Sequence, residues 1–205
     1  MLNRLIRLAL APAALVVSAS PAFAHHLMGG RLPASLSDGL LSGLGHPIIG
    51  LDHFAAVVAV GCLAAAHRAG ALLAVGYVMA TMVGVALHVQ GFTLPGGEVL
   101  VALTVIGLAL PMLIGRAMTA GVALALFAAV GFVHGYALGE SIYGAEPTPL
   151  YAYLAGLAVI QSAIALAAMG VARLFLSEPV RLRLMGAGIA GVGLVFFVQQ
   201  VLPGA

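Results

Sequence analysis

The sequence predicts an all-α protein: a polytopic membrane bundle of six transmembrane helices behind a cleaved signal peptide, with both mature termini outside. Three observations carry that expectation. Of the 205 residues, 63% are hydrophobic and only 7% charged, against about 25% charged in a soluble domain. The apolar residues gather into runs close to the ~20 residues that a helix needs to cross a bilayer. Beyond residue 60, every arginine lies in alternate connections between those runs.

Residues 1–24 have the three-part layout of a secretory signal: Arg4 and Arg7, an apolar core over Leu8–Val17, then Ala22-Phe23-Ala24. Cleavage after Ala24 makes His25 the new amino terminus, with His26 beside it. A terminal amine next to an imidazole chelates divalent metals, so His25 and His26 are candidate ligands. The alternative is two exposed histidines on a tail.

From Leu27 to Gly45 the chain is mixed. Leu36, Leu40 and Leu44 recur every four residues with Ser37, Asp38 and Ser42 between them, which reads as a short amphipathic helix at the outer membrane surface. A second reading continues this helix into the first span, with Pro47 interrupting the hydrogen-bond ladder and freeing carbonyls near Gly43. Transporters often build ion sites on such broken helices. The plainer reading makes Pro47 a first-turn residue of a new helix.

Six spans follow within one membrane domain (25–205), at about 48–66, 71–89, 97–115, 117–137, 150–172 and 182–202. Arg68, Arg116, Arg173, Arg181 and Arg183 fall in the connections after spans 1, 3 and 5. The connections after spans 2 and 4 hold Glu98, Glu140 and Glu146 and no arginine. The positive-inside rule makes the arginine-bearing connections cytoplasmic, and an exported signal sequence predicts the same topology. The expected location is the inner membrane of a bacterium.

Several function classes drop out. All eight basic residues are arginines, so the chain has neither a P-loop lysine nor a Schiff-base lysine. A net charge of +2 without a basic patch excludes a nucleic-acid partner. The single cysteine, Cys62, rules out an intrachain disulfide and a CxxC metal site. No H-E-x-x-H or G-x-S-x-G supports a hydrolase, and no enzyme activity is expected. A homo-oligomer is left open.

Chemistry concentrates in Gly45-His46-Pro47-Ile48-Ile49-Gly50-Leu51-Asp52-His53, at the mouth of the first span. A helix starting at Pro47 carries Asp52 and His53 roughly 8–10 Å inward. A charge at membrane depth costs up to about 2.5–3.5 kcal/mol, so such residues imply a partner or a site. His46 and His53, seven apart, share a face if the helix is continuous. Asp52 then ligates directly or orients a neighbouring imidazole.

The predicted topology sorts the other histidines. His88 ends span 2 and His134 lies near the outer end of span 4, so six of the seven histidines gather toward one face and only His67 is cytoplasmic. Asp52, Glu98 and Glu140 join them. Imidazole with carboxylate suits a divalent transition metal, without choosing among zinc, copper, iron and nickel. Each has a bland reading. His88 beside Gln90 suits an interfacial cap, Glu98 an acidic first turn, Glu146 a solvated loop and His67 a charge anchor. The methionines read as packing. Gly186-Ala187-Gly188-Ile189-Ala190-Gly191 matches G-x-G-x-x-G but lies inside span 6 without a strand, and reads as a helix-packing face.

His46-Pro47-x-x-Gly50-x-Asp52-His53, with Val60-Gly61 and Ala64, resembles the signature of the HupE/UreJ family of nickel permeases. So do the signal, the histidine after it, the six spans and Phe132-Val133-His134-Gly135-x-Ala137-x-Gly139-Glu140. The resemblance implies uptake of nickel, or cobalt, for loading hydrogenase or urease. It implies metal-handling roles for His46, Asp52, His53, His134 and Glu140, with the ion as cargo and no permanently bound cofactor. Two departures stand out: Val57 occupies a position usually Met, and Leu138 one usually His. The competing reading is a non-transporting metal- or haem-binding membrane protein, with His53, His88 and His134 as axial ligands of a haem.

Overall fold

The computed structural model describes residues 31–175 and 178–202; the predicted signal peptide, His25 and His26 lie outside them. The described residues form seven α-helices and one 3₁₀ turn: α1 (Leu36–Ile49), α2 (Leu51–Ala64), α3 (Gly70–Val89), α4 (Gly97–Ile114), α5 (Ala120–Gly139), the turn Glu140–Ile142, α6 (Pro147–Phe175) and α7 (Pro179–Val201). Helices α3 to α7 are each long and apolar enough to cross a membrane. Their bounds fall within three residues of the last five predicted spans.

The first predicted span, 48–66, is not one helix. Helices α1 and α2 meet at Gly50 with a bend of 78° and count together as one broken span or a re-entrant loop. Pro47 has no N–H to give to the Gly43 carbonyl, yet α1 runs two residues past it. The break comes at Gly50, which is extended (φ −72°, ψ 101°) while its N–H still reaches the His46 carbonyl at 3.0 Å. A Cβ at Gly50 would lie 2.9 Å from His53 Cδ2 and 3.2 Å from Asp52 Oδ1. Only glycine lets those side chains fold back over the bend.

Helix α1 also presents the opposite face from the one expected of a surface amphipathic helix. Leu36, Leu40 and Leu41 point outward, while Gly39, Ser42, Gly43, His46 and Pro47 are buried, packed on the first half of α6. Lipid is as apolar as leucine, so packing in a bilayer selects small residues for the inner face. The helix starts from a capping box in which the Ser35 hydroxyl accepts from the Asp38 N–H and the Asp38 carboxylate from the Ser35 N–H, both at 3.1 Å.

Helix α2 touches every other helix, and eleven of its fourteen residues are buried. Around it, α3 and α5 run parallel in close contact, α1 and α2 run parallel to α6, and α4 runs antiparallel to α7. The tightest approach is at Gly135, where a Cβ would strike the Thr81 carbonyl oxygen. On α7 the packing glycines are Gly186 and Gly193, against Met112 and Ile106. Gly188 and Gly191 face open space, so only the first glycine of the G-x-G-x-x-G run contributes to a packing face.

Candidate metal site

Asp52 and His53 occupy the first turn of α2, placed there by the Gly50 break. Their depth in the bundle therefore comes from a bend and not from a turn and a half of helix after Pro47. The positive end of the helix dipole favours the Asp52 carboxylate, which accepts the His53 backbone N–H at 2.8 Å. Asp52 and His53 are only 2% and 3% exposed.

His53 meets His134 of α5, eighty-one residues away, with Nδ1 to Nδ1 at 2.8 Å and ring centroids 4.9 Å apart. His134 is fully buried, five residues before the end of α5. Its Nε2 lies 3.1 Å from the Thr104 hydroxyl of α4, which donates its single proton to the Val101 carbonyl at 2.7 Å. Toward His134 that oxygen can therefore only accept. This network assigns the proton to His134 Nε2, leaving Nδ1 with a lone pair that accepts from His53 Nδ1–H. His46 packs edge-on against His53 with centroids 6.2 Å apart, even though the helix is broken between them. The Asp52 carboxylate lies within electrostatic range of both His134 and Tyr77.

Two imidazole nitrogens bound at right angles to one metal, at about 2.0–2.1 Å each, stand roughly 2.9 Å apart. The 2.8 Å Nδ1–Nδ1 separation is that of a hydrogen bond, in which the two nitrogens aim at each other; a cation shared by both would lie off that line and require the rings to turn toward it. Among the described residues, no three His, Cys, Asp or Glu converge on one point as a preformed metal cage. The arrangement is a two-imidazole edge with Asp52 and His46 beside it. Direct contact between the two rings leaves no gap for a porphyrin between them.

The remaining predicted residues are placed elsewhere. Glu140 is exposed at the start of the 3₁₀ turn. His88 lies against Tyr136 and Tyr143, with centroids at 4.5 and 5.7 Å, and Tyr136 pins the α3–α4 connection through the Phe92 carbonyl and the Leu94 N–H. Glu98 is in the first turn of α4. Val57 and Leu138 are fully buried packing residues. Sequence reasoning missed Thr104 and Tyr77. Thr104 is an isolated polar residue on an apolar span, which was its only signal.

The chain matches the family described as HupE / UreJ protein over residues 13–196. Protein HupE of Rhizobium leguminosarum bv. viciae is 31% identical over 182 residues, covering 87% of this chain and 81% of that protein. No solved structure matches the chain.

Proposed function

The chain belongs to the HupE / UreJ family, and from that premise we propose that it is a permease carrying a divalent transition metal, nickel or cobalt, into the cell for metalloenzyme maturation. The family is associated with accessory functions around nickel in hydrogenase and urease. The observation that carries the proposal is the buried His53–His134 pair, two imidazoles from distant helices in direct contact, with Asp52 next to His53 in the chain and equally buried.

On this reading the signal peptide delivers the amino terminus outside an inner bacterial membrane, and the Gly50 bend opens toward that side. The cation reaches His46 and is taken between His53 and His134, the Nδ1 proton of His53 passing to that ring's Nε2 so that both Nδ1 atoms offer lone pairs. Asp52 offsets the dication against the positive end of the α2 dipole. No residue set supplies chemical energy. A potential negative inside favours a dication by about 4–5 kcal/mol per 100 mV, which is sufficient to drive it inward. Glu140 then serves at the outer mouth, as the site's first contact with the ion.

Uptake of radiolabelled nickel by cells, with cobalt as competitor, tests the proposal. Asp52→Asn and His53→Ala are expected to abolish accumulation while membrane insertion is kept. Normal uptake by either variant sinks the assignment. A purified protein showing a haem Soret band redirects it to the haem-binding reading.

A further inference from the structure

Gln161 has no role in the site above, yet it is the most unusual side chain in the bundle. It is fully buried, and neither its amide oxygen nor its amide nitrogen has a hydrogen-bond partner among the described residues. It stands fourteen residues from either end of α6, roughly 21 Å along the helix each way, at mid-span. Transporter sites favour that depth, and unpaired polar groups are most costly there.

Helix register places Gln161 next to the His53–His134 pair. Along α2, Gly61 backs onto Ala165, Ala168 and Met169, and Arg173 reaches the Ala65 and His67 carbonyls. Counting back along these parallel helices sets Gln161 level with Ala55 and Ala56, about one turn beyond His53. Along antiparallel α3, Gly70 meets Met169 and Val85 clusters with Tyr153 and Leu157. Interpolation between those contacts sets Gln161 opposite residues 77–81. Tyr77 sits there, fully buried, its hydroxyl without a hydrogen bond of good geometry and with Asp52 and Thr81 as polar neighbours.

We infer that Gln161 and Tyr77 form a second, inner station for the transported divalent cation. The inference rests on the permease reading. The Gln161 carbonyl and the Tyr77 hydroxyl are neutral oxygen donors, weaker for a dication than imidazole with carboxylate. A pathway needs such a step down, because a site that binds too well does not release its ion. The amide takes over part of the cation's shell as it leaves Asp52, one helical turn away.

With only one native cysteine, Cys62→Ala yields a cysteine-free background for Gln161→Cys in the full-length protein. In proteoliposomes, a small hydrophilic methanethiosulfonate is expected to modify the new thiol, at least tenfold more slowly with nickel present. Gln161→Leu is expected to bind nickel at equilibrium within about twofold of wild type while uptake falls at least tenfold, with partial rescue by Gln161→Asn, which keeps a neutral carbonyl donor. An inert thiol, modification that nickel does not slow, or wild-type uptake by Gln161→Leu overturns the inner station. So does equal loss of equilibrium binding and uptake, which makes Gln161 a support of the outer pair. If wild type neither binds nor transports nickel, the permease reading itself fails, whereas failure of the inner station alone leaves wild-type binding and uptake intact.

Discussion

Replacing Thr104 by valine changes the candidate site without touching any proposed ligand. Valine matches threonine in shape, so the contact between α4 and α5 is kept and only the hydroxyl is lost. In the native structure that oxygen receives the His134 Nε2–H at 3.1 Å, because its own proton is committed to the Val101 carbonyl. Without it, a fully buried N–H loses its acceptor, at a cost of about 1–3 kcal/mol. The ring escapes that cost by moving its proton to Nδ1, the atom that must offer a lone pair to the cation. Outer partners of metal-bound histidines typically contribute 10–100-fold in affinity, or about 1.4–2.7 kcal/mol. Thr104→Val is therefore expected to weaken equilibrium nickel binding by roughly 10–100-fold while the purified protein stays folded, measured by titration calorimetry beside thermal unfolding. Thr104→Ser, which keeps the hydroxyl, is expected to restore most of the affinity. Binding by Thr104→Val within twofold of wild type refutes the tautomer assignment and, with it, metal ligation through His134 Nδ1.

Three further outcomes follow from the same geometry. In the hydrogen-bond network each imidazole carries a single proton, so on the permease reading His53 frees its Nδ1 by passing that proton to Nε2 and binding releases no net proton; calorimetry in buffers of different ionisation enthalpy is expected to give the same binding enthalpy, and release of one proton per ion contradicts it. Gly135→Ala puts a Cβ onto the Thr81 carbonyl, forcing α5 off α3 and His134 off His53, at a cost of about 1–3 kcal/mol or more; a lowered melting temperature with lost nickel binding is expected, and a stable variant that binds normally refutes the close contact. Glu140 is exposed at the helix end, so Glu140→Gln is expected to slow uptake at low nickel and leave equilibrium binding within about twofold, whereas loss of equilibrium binding would move Glu140 into the inner ligand set.

The division between what was legible and what was not follows from how each is encoded. Five helices came out of the sequence to within three residues, because crossing lipid demands a local run of apolar residues. The chemistry of the first motif was equally local, since His46, Asp52 and His53 are residue types that an apolar chain does not place at a span for packing. What hydropathy cannot carry is which way a helix faces. In a bilayer both lipid and protein interior are apolar, so the leucines of α1 turned outward and its glycines inward. Nor does a motif announce its own break: Pro47 drew attention, but the bend lies at Gly50, where two side chains needed the room of a missing Cβ. Tertiary structure alone joined His53 to His134 across eighty-one residues, recruited Thr104 to set the proton, kept Glu140 at the surface and left Gln161 without a hydrogen-bond partner among the described residues at the middle of α6. Each of those depends on helix register, which is decided by side-chain packing between segments distant in sequence.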